Sequence, residues 1–463
     1  MEKLLQVDDL RTWFRTSRGI VKAVDGVSFN VAPGKTRAIV GESGCGKSIT
    51  ALSILQLVPE PAGYIESGKI VAIGQIPAGF VAEQSIDAQG LIAAPGLVDL
   101  NVALREPGYS RKGSIATETL AAAAGGVTSL CCPPFTKPVL DTPAVAELIL
   151  DRAREAGHTK VFPIGALSKG LEGEQLAELV ALRDAGCVAF GNGLDSFRNN
   201  RTLRRALEYA ATFDLTVIFH SQDHDLAEGG LAHEGATASF LGLPGIPETA
   251  ETVALARDLL LVEQTGVRAH FSQLTSARGA QLIADAQARG LPITADVALY
   301  QLILTDEALS DFSSLYHVQP PLRTAADRDG LRAAVKSGVI SAISSHHQPH
   351  ERDAKLAPFG ATEPGISSVQ LLLPLAMSLV QDGLLDLPTL LARLSSGPAQ
   401  ALRLPAGKLS VGAPADLLLL DPQASTLAGE SWYSKGANCP FIGHCLPSAV
   451  RYTLVDGHIS YQA

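Results

Sequence analysis

The sequence predicts an α/β chain dominated by a (β/α)8 TIM barrel, with a small β domain beside it and a truncated phosphate-loop fragment in front. Three observations carry this prediction. From about Lys69, short apolar runs rich in β-branched residues alternate with amphipathic helical patterns, and eight such runs can be counted. The stretch from about residue 404 returns to short strands separated by Gly and Asp turns. Ahead of both lies a glycine loop of phosphate-binding type.

The strand candidates end near Leu104, Pro133, Leu167, Gly193, Ser221, Gln273, Leu299 and His347. The first helix expected between them begins at Thr142 and Pro143, where Thr142 can cap, Pro143 suits the first turn, and Val145, Leu148 and Ile149 make one face. Further helices are expected near 174–185, 200–213, 248–265, 276–289, 324–337 and 367–382. The barrel is thereby placed at residues 95–403. The segments KLSVGAPADLLLLDP and AVRYTLVDGHISY should pair with a strand at Lys69–Ile73, so 69–94 and 404–463 together make the small β domain.

Composition narrows the function. With 463 residues, 46% of them apolar and 18% charged, the chain can bury a large core and is not expected to be disordered. Its 37 Lys and Arg against 47 Asp and Glu give a net charge of −10, which disfavours nucleic acid or an anionic membrane as partner. The cysteines at 45, 131, 132, 187, 439 and 445 form no CxxC pair and no disulfide framework, which fits a reducing cytoplasm. The opening MEKLLQVDDLRTWF lacks an apolar signal core, and no long uncharged apolar run follows, so neither export nor a membrane span is expected.

Gly41-Glu42-Ser43-Gly44-Cys45-Gly46-Lys47-Ser48 follows the apolar run Ala38-Ile39-Val40 and precedes the helix-prone ITALSILQLV. In this strand, loop and helix arrangement, backbone N–H groups and the lysine cradle phosphates, so Gly41, Gly44, Gly46, Lys47 and Ser48 are candidate nucleotide contacts. Residues 1–68 resemble the N-terminal end of an ATP-binding-cassette (ABC) ATPase of the peptide-importer type. That resemblance implies an adenine-stacking aromatic at Trp13 or Phe14. No LSGGQ-like signature and no strand ending in Asp-Glu follows, and phosphoryl transfer needs those parts, so the loop is expected to be orphaned from ATPase activity.

A second resemblance covers residues 69–463. PGLVDLNVALREPG (95–108), AGGVTSL, the block from His220 to Glu251, VQPPLR (318–323), ISSHHQPH (343–350), EPGISSVQLLLP (363–374) and GKLSVGAPADLLLLD (407–421) together resemble dihydroorotase. The resemblance implies an amidohydrolase-type barrel in which ligands at several strand ends hold a metal that activates water. This chain departs from the pattern at those ligands. The His-x-His-x-Arg motif of strand 1 reads Asn101-Val102-Ala103-Leu104-Arg105. An acidic strand-4 segment reads Ala189-Phe190-Gly191-Asn192-Gly193. The strand-6 His-x-x-His-Val-Ser reads His270-Phe271-Ser272-Gln273-Leu274-Thr275, and the strand-8 Thr-Asp-His-Ala-Pro-His reads Ser345-His346-His347-Gln348-Pro349-His350. Of the family's ligand positions, His220 on strand 5 is retained, while Asn101, Ala103, Asn192, Gln273 and His346 occupy the others.

A catalytic zinc needs about three protein ligands and an open position, and neutral Asn and Gln do not offset a dication. The substrate pattern is altered as well, reading Cys131-Cys132-Pro133-Pro134-Phe135-Thr136 after strand 2 and Leu299-Tyr300-Gln301 at strand 7. His220 is expected as a core histidine, His270 on the face opposite Gln273, His224 and His233 on the surface, and Cys131 and Cys132 as small buried apolar groups. Arg105 matches the family's substrate-carboxylate arginine, and a buried structural ion pair is the competing expectation for it.

The resemblance therefore points to a pseudoenzyme without cofactor. It is similar to the non-catalytic dihydroorotase-like chain that forms a hetero-oligomer with the aspartate carbamoyltransferase catalytic chain. Two alternatives stand beside it: an active amidohydrolase with His220, His346 and His347 as unorthodox ligands, and an ATP-binding module using the phosphate loop. The Pro-Pro-Leu-Arg turn at 320–323 and the segment Asn438-Cys439-Pro440-Phe441-Ile442 keep the family pattern. Ile65 to Ile70 reads in either family and marks the crossover.

Overall fold

The computed structural model describes residues 5–16, 19–31, 68–73, 84–193, 197 and 199–463. The chain divides into two compact units, Met1–Ser67 and Gly68–Ala463. In the first, β1 (Leu5–Thr16) and β2 (Gly19–Val31) form an antiparallel pair with Trp13 opposite Lys22 and Phe14 opposite Val21. The candidate nucleotide contacts Gly41, Gly44, Gly46, Lys47 and Ser48 lie outside the described residues.

The second unit begins with β3 (Ile92–Pro95) and β4 (Leu97–Asp99), then alternates helices and strands: α1 (Ile115–Ala124), β5 (Val127–Cys132), α2 (Pro143–Ala156), β6 (Lys160–Ala166), α3 (Leu179–Asp184), β7 (Ala189–Gly191), α4 (Asn200–Thr212) and β8 (Thr216–Phe219). An insertion follows, made of α5 (His224–Ala227), β9 (Ala232–His233), α6 (Ala236–Leu241) and β10 (Gly245–Ile246). The alternation resumes with α7 (Thr249–Thr265), β11 (Arg268–Phe271), α8 (Ala277–Ala288), β12 (Ile293–Ala298), α9 (Ala325–Ser337) and β13 (Ala342–Ser344). Helices α10 (Leu372–Gln381), α11 (Leu387–Leu394) and α12 (Ser396–Ala401) precede β14 (Leu417–Leu427), β15 (Cys445–Val455) and β16 (His458–Gln462).

Eight parallel strands run in the order β13-β12-β11-β8-β7-β6-β5-β4. Regular pairing at the two ends stops at Asp99 and Ser344, short of the expected Leu104 and His347. The barrel closes through the parallel bridge Val102 to His347, where Ala103 N–H donates to the His347 carbonyl (2.9 Å) and His347 N–H to the Asn101 carbonyl (3.1 Å). The outer helices bury one stripe each. In α4 that stripe is Leu203, Ala206, Leu207 and Ala210, the i, i+3, i+4, i+7 pattern, and Asn199 caps it by accepting from the N–H groups of Arg201 and Thr202.

Three sequence expectations need correction. Helix α1, capped by Ser114 in a reciprocal pair with Thr117, was absent from the expected set. In α2 the Thr142 side chain makes no capping bond, and Leu148 is exposed while Ala146 and Ala153 join Val145 and Ile149 inside. The strand expected at Lys69–Ile73 shrinks to one bridge, Lys69 to Pro414, and β3 occupies the edge of the four-stranded sheet β16-β15-β14-β3 instead.

One buried carboxylate ties these parts together. Glu118 on α1 accepts from His347 Nε2 (2.8 Å), Ser434 Oγ (2.6 Å), Lys435 N–H (3.0 Å) and Thr117 Oγ1 (2.8 Å). Burial raises its pKa, but the bonds from His347, Ser434 and Lys435 outweigh that and hold it below the ordinary carboxyl value. Truncation by Glu118→Ala leaves the buried His347 Nε2 proton and the Lys435 N–H without their acceptor, so chemical denaturation should report a loss of about 3–5 kcal/mol at neutral pH. Because the folded carboxyl is the stronger acid, its contribution is present above the ordinary carboxyl range and is lost as pH falls through the folded pKa. The gap between wild type and variant should therefore narrow below about pH 4; a gap unchanged with pH would contradict the assignment.

Candidate functional site

A cleft with about 500 Å³ of free space, partly open to solvent, lies where the barrel strands end. It is lined by the apolar Pro133, Pro134, Phe135, Ile164 and Ile218 together with Asn101, His220, His270, Gln273, Asp296 and His346. Phe135 lies over Gly193, whose φ of +63° and closeness to the ring, 1.7 Å from an added Cβ to Cζ, leave no room for a side chain.

Asp296, on β12, is fully buried and sets the electrostatics of this cleft. Its Oδ2 accepts from His270 Nε2 (2.8 Å) and Ser272 Oγ (3.0 Å), and its Oδ1 from Gln273 N–H (2.9 Å). Burial alone would raise its pKa, but these bonds, His270 first, hold it below the ordinary value. The carboxylate is thus ionised and its lone pairs are committed to β11 and the turn after it. Reading strands by their apolar runs did not single out Asp296; the signal available was one acid inside the apolar strand ITADVA.

His270 lines the cleft rather than the face opposite Gln273. Strand alternation fails between them because β11 ends at Phe271 and Gln273 takes a left-handed φ of +63°. His270 Nδ1 meets Thr294 Oγ1 at 2.8 Å, so both its ring nitrogens are engaged. Gln273 itself leaves its buried Oε1 without a partner among the described residues, and His220 leaves Nε2 in the same condition. Burial pushes the His220 imidazole down to about 4, so it is neutral near pH 7.

The other histidines are drawn into the scaffold. His346, also left-handed at φ +48°, has Nε2 3.0 Å from the Gln348 amide nitrogen and Nδ1 2.6 Å from the Tyr300 hydroxyl. The amide can only donate, so Nε2 accepts and the ring proton sits on Nδ1. Burial pushes this ring down to about 3. His347 accepts at Nδ1 from Ser368 N–H (3.0 Å) and Val369 N–H (3.3 Å), which places its proton on Nε2, facing Glu118. His347 is absent from the cleft wall, so the three histidines His220, His346 and His347 do not converge.

Asn101 lines the cleft, whereas Ala103 is buried in the closing bridge. Asn192 braces the loop after β6: its Oδ1 accepts from Ser168 N–H (3.2 Å) and Oγ (2.8 Å), and its Nδ2 donates to the Leu171 carbonyl (3.0 Å). Arg105 takes a left-handed φ of +62° and donates to the Pro349 carbonyl (3.1 Å), with Nη2 3.0 Å from His350 Nε2. Its hydrogen bonds among the described residues thus replace the expected ion pair, and it is not among the cleft-lining residues. His233 is buried rather than on the surface, 3.0 Å from the Arg323 guanidinium, while His224 is exposed. Cys131 and Cys132 are buried, and burial raises both thiols, Cys132 to about 12.

The metal implied by the resemblance does not fit this donor set. A divalent ion needs about three side chains with free lone pairs and negative charge to match it. Here Asn101, Ala103 and Gln273 stand at ligand positions, His346 is bonded at both nitrogens, and Asp296 is committed to its neighbours. Among the described residues no three His, Cys, Asp or Glu side chains are grouped to hold an ion.

Comparison with known proteins bears on this arrangement. A family described as dihydro-orotase-like matches residues 90–278, an amidohydrolase family matches 376–461, and an ABC transporter family matches 24–84. The chain is 82% identical over 398 residues to a dihydroorotase-like protein of Pseudomonas putida, covering 86% of this chain and 94% of that one. It is 41% identical over 399 residues to a dihydroorotase of Syntrophotalea carbinolica, with the same coverage. Among solved structures, the L-hydantoinase (dihydropyrimidinase) of Arthrobacter aurescens shares the fold at 24% identity, with a TM-score of 0.76 over 85% of this chain and 91% of that one. A barrel closed in this order, with the dihydroorotase motifs at its strand ends and relatives of this identity over most of their length, places the chain in the dihydroorotase-like family.

Proposed function

We propose that the protein is a catalytically inactive dihydroorotase homologue, acting in the cytoplasm as a structural subunit of an aspartate carbamoyltransferase complex in pyrimidine biosynthesis. The observation that carries this reading is the commitment of the strand-end side chains to internal hydrogen bonds. His347 serves Glu118, His270 serves Asp296, and Asn192 serves the loop after β6. A site kept for chemistry needs side chains with open lone pairs toward the substrate, and a site kept for packing does not. No helix among the described residues is long and apolar enough to cross a membrane.

Without a metal hydroxide, opening or closing a cyclic amide would need another nucleophile. His220 is neutral near pH 7 because burial outweighs the pull of the Asp296 carboxylate and lowers its pKa to about 4, so it makes a weak base. The partner is proposed from the resemblance and from the separation of fold from site. The closing bridge, the Glu118 cluster and the buried Arg323 keep the scaffold intact around altered chemistry.

Two measurements test this. The purified chain should not interconvert carbamoyl aspartate and dihydroorotate, and after dialysis against zinc it should retain well below one equivalent per chain; about one zinc per chain with turnover lost in His220→Ala would overturn the proposal. Mixed with the aspartate carbamoyltransferase chain at micromolar concentration, it should co-elute as a hetero-oligomer burying roughly 1,600 Å² or more per contact. Separate elution, with a transcarbamoylase fully active alone, would sink the subunit role.

A further inference from the structure

Three loops that follow barrel strands meet around a small second core, away from the cleft. They are residues 223–248 after β8, 305–316 after β12 and 351–363 after β13. Ala232 and Ala238 come from the first, Leu309 from the second and Phe359 from the third, and all four are buried together. Leu231 and Tyr316 pack against them, the Ser314 hydroxyl donates to the Lys355 carbonyl (2.6 Å), and the His317 ring lies 4.7 Å from that of Phe359. The loops therefore make one surface rather than three independent ones.

That surface exposes large apolar side chains inside an acidic border. Phe240 is 86% exposed, Leu356 67% and Phe312 49%, and each stands close along the chain to a member of the small core. None of them lines the cleft. Scattered exposed apolar residues are ordinary, but three raised on one core make a patch of the kind that marks an interaction site. The charge around it is one-sided. The three loops carry eleven Asp and Glu against Arg352 and Lys355, a formal −9 of the chain's −10. Lys355 is buried and donates to the His317 carbonyl (3.1 Å), which leaves Arg352 as the exposed Lys or Arg of these loops. The acids stand at the borders: residues 236–247 hold no charge and lie between Glu234 and Glu248, residues 356–362 hold none and end at Glu363, and Asp311 adjoins Phe312.

A second copy of the chain fits this face poorly, because a two-fold contact would set the acidic border against itself. Anionic membranes and nucleic acid are repelled for the same reason. A helix can carry apolar side chains along one face and cations along its flanks, which matches an uncharged centre enclosed by carboxylates. We infer that the face docks a protein segment of that character, a basic amphipathic helix whose apolar side meets Phe240, Phe312 and Leu356 and whose Lys and Arg meet the surrounding acids. The inference does not rest on the subunit role: its readout is binding to the chain alone, so either can fail while the other stands.

The probes are two synthetic amphipathic helices of about 18 residues, one of Leu and Lys and its counterpart of Leu and Glu, each titrated with the full chain at neutral pH and followed by fluorescence anisotropy. The Lys helix should bind saturably with a Kd of about 100 μM or tighter, and the Glu helix at least about ten-fold more weakly. Raising salt from about 0.05 to about 0.5 M should weaken the Lys helix several-fold. Phe240→Ser, a change at a side chain that stands in solvent, should keep Tm and weaken the Lys helix at least about ten-fold. Leu260→Ser, at an exposed apolar position on α7, should leave that affinity unchanged. The inference is overturned if the Lys helix does not saturate, if the Glu helix binds as well, if salt has no effect, or if Phe240→Ser loses no more affinity than Leu260→Ser. A lower solution mass for Phe240→Ser than for the wild-type chain alone would assign the face to a second copy and overturn it equally.

Discussion

The carboxylate of Asp296 sits at the centre of the strand ends with no solvent to stabilise it, so the chain itself must meet its charge. It does so with His270, Ser272 and the Gln273 N–H. That requirement fixes the turn after β11, aims His270 into the barrel and leaves the Gln273 side chain over the cleft. An unmet buried carboxylate would carry a penalty of several kcal/mol, which makes this arrangement hard to vary one residue at a time. Glu118 imposes the same kind of constraint beside the closing seam, where it holds His347 and thereby the bridge that closes the barrel. The histidines of the cleft region are thus divided. Two serve buried carboxylates, His346 is held between Tyr300 and Gln348, and His220 alone keeps an unpartnered nitrogen.

The backbone around the cleft retains a costly geometry. Arg105, Gln273 and His346 are non-glycine residues at φ of +62°, +63° and +48°, and each follows the end of a barrel strand. Strained positions of this kind cost of order 1–3 kcal/mol each and persist when the surroundings over-determine them. Here the surroundings are the closing bridge, the bonds to Pro349 and His350, and the Asp296 carboxylate.

Much of the barrel was legible because parallel strands covered on both faces read as continuous apolar runs, as in residues 161–166 of β6, where every residue but Phe162 is buried. The departures from the family motif could be read for a different reason: a fixed motif shows a different residue as plainly as a shared one. What the sequence hid depends on partners distant along the chain. Asp296 is an ordinary acid in an apolar strand until His270 is placed beside it. Arg105 was expected in an ion pair and instead meets a backbone carbonyl and His350, 244 and 245 residues away. Extrapolating alternation past Phe271 put His270 on the wrong side, because periodicity ends where the strand ends. The insertion between β8 and α7 escaped because its elements are only two to six residues long.

The central claim is that His346 and His347 belong to the scaffold rather than to a metal. Long-range proton–nitrogen spectra of ring-labelled histidine, recorded before and after adding about one equivalent of zinc, address it directly. The account predicts His347 with its proton on Nε2 and His346 with its proton on Nδ1, both unmoved by zinc. Joint displacement of the His220, His346 and His347 ring nitrogens on adding zinc would contradict it.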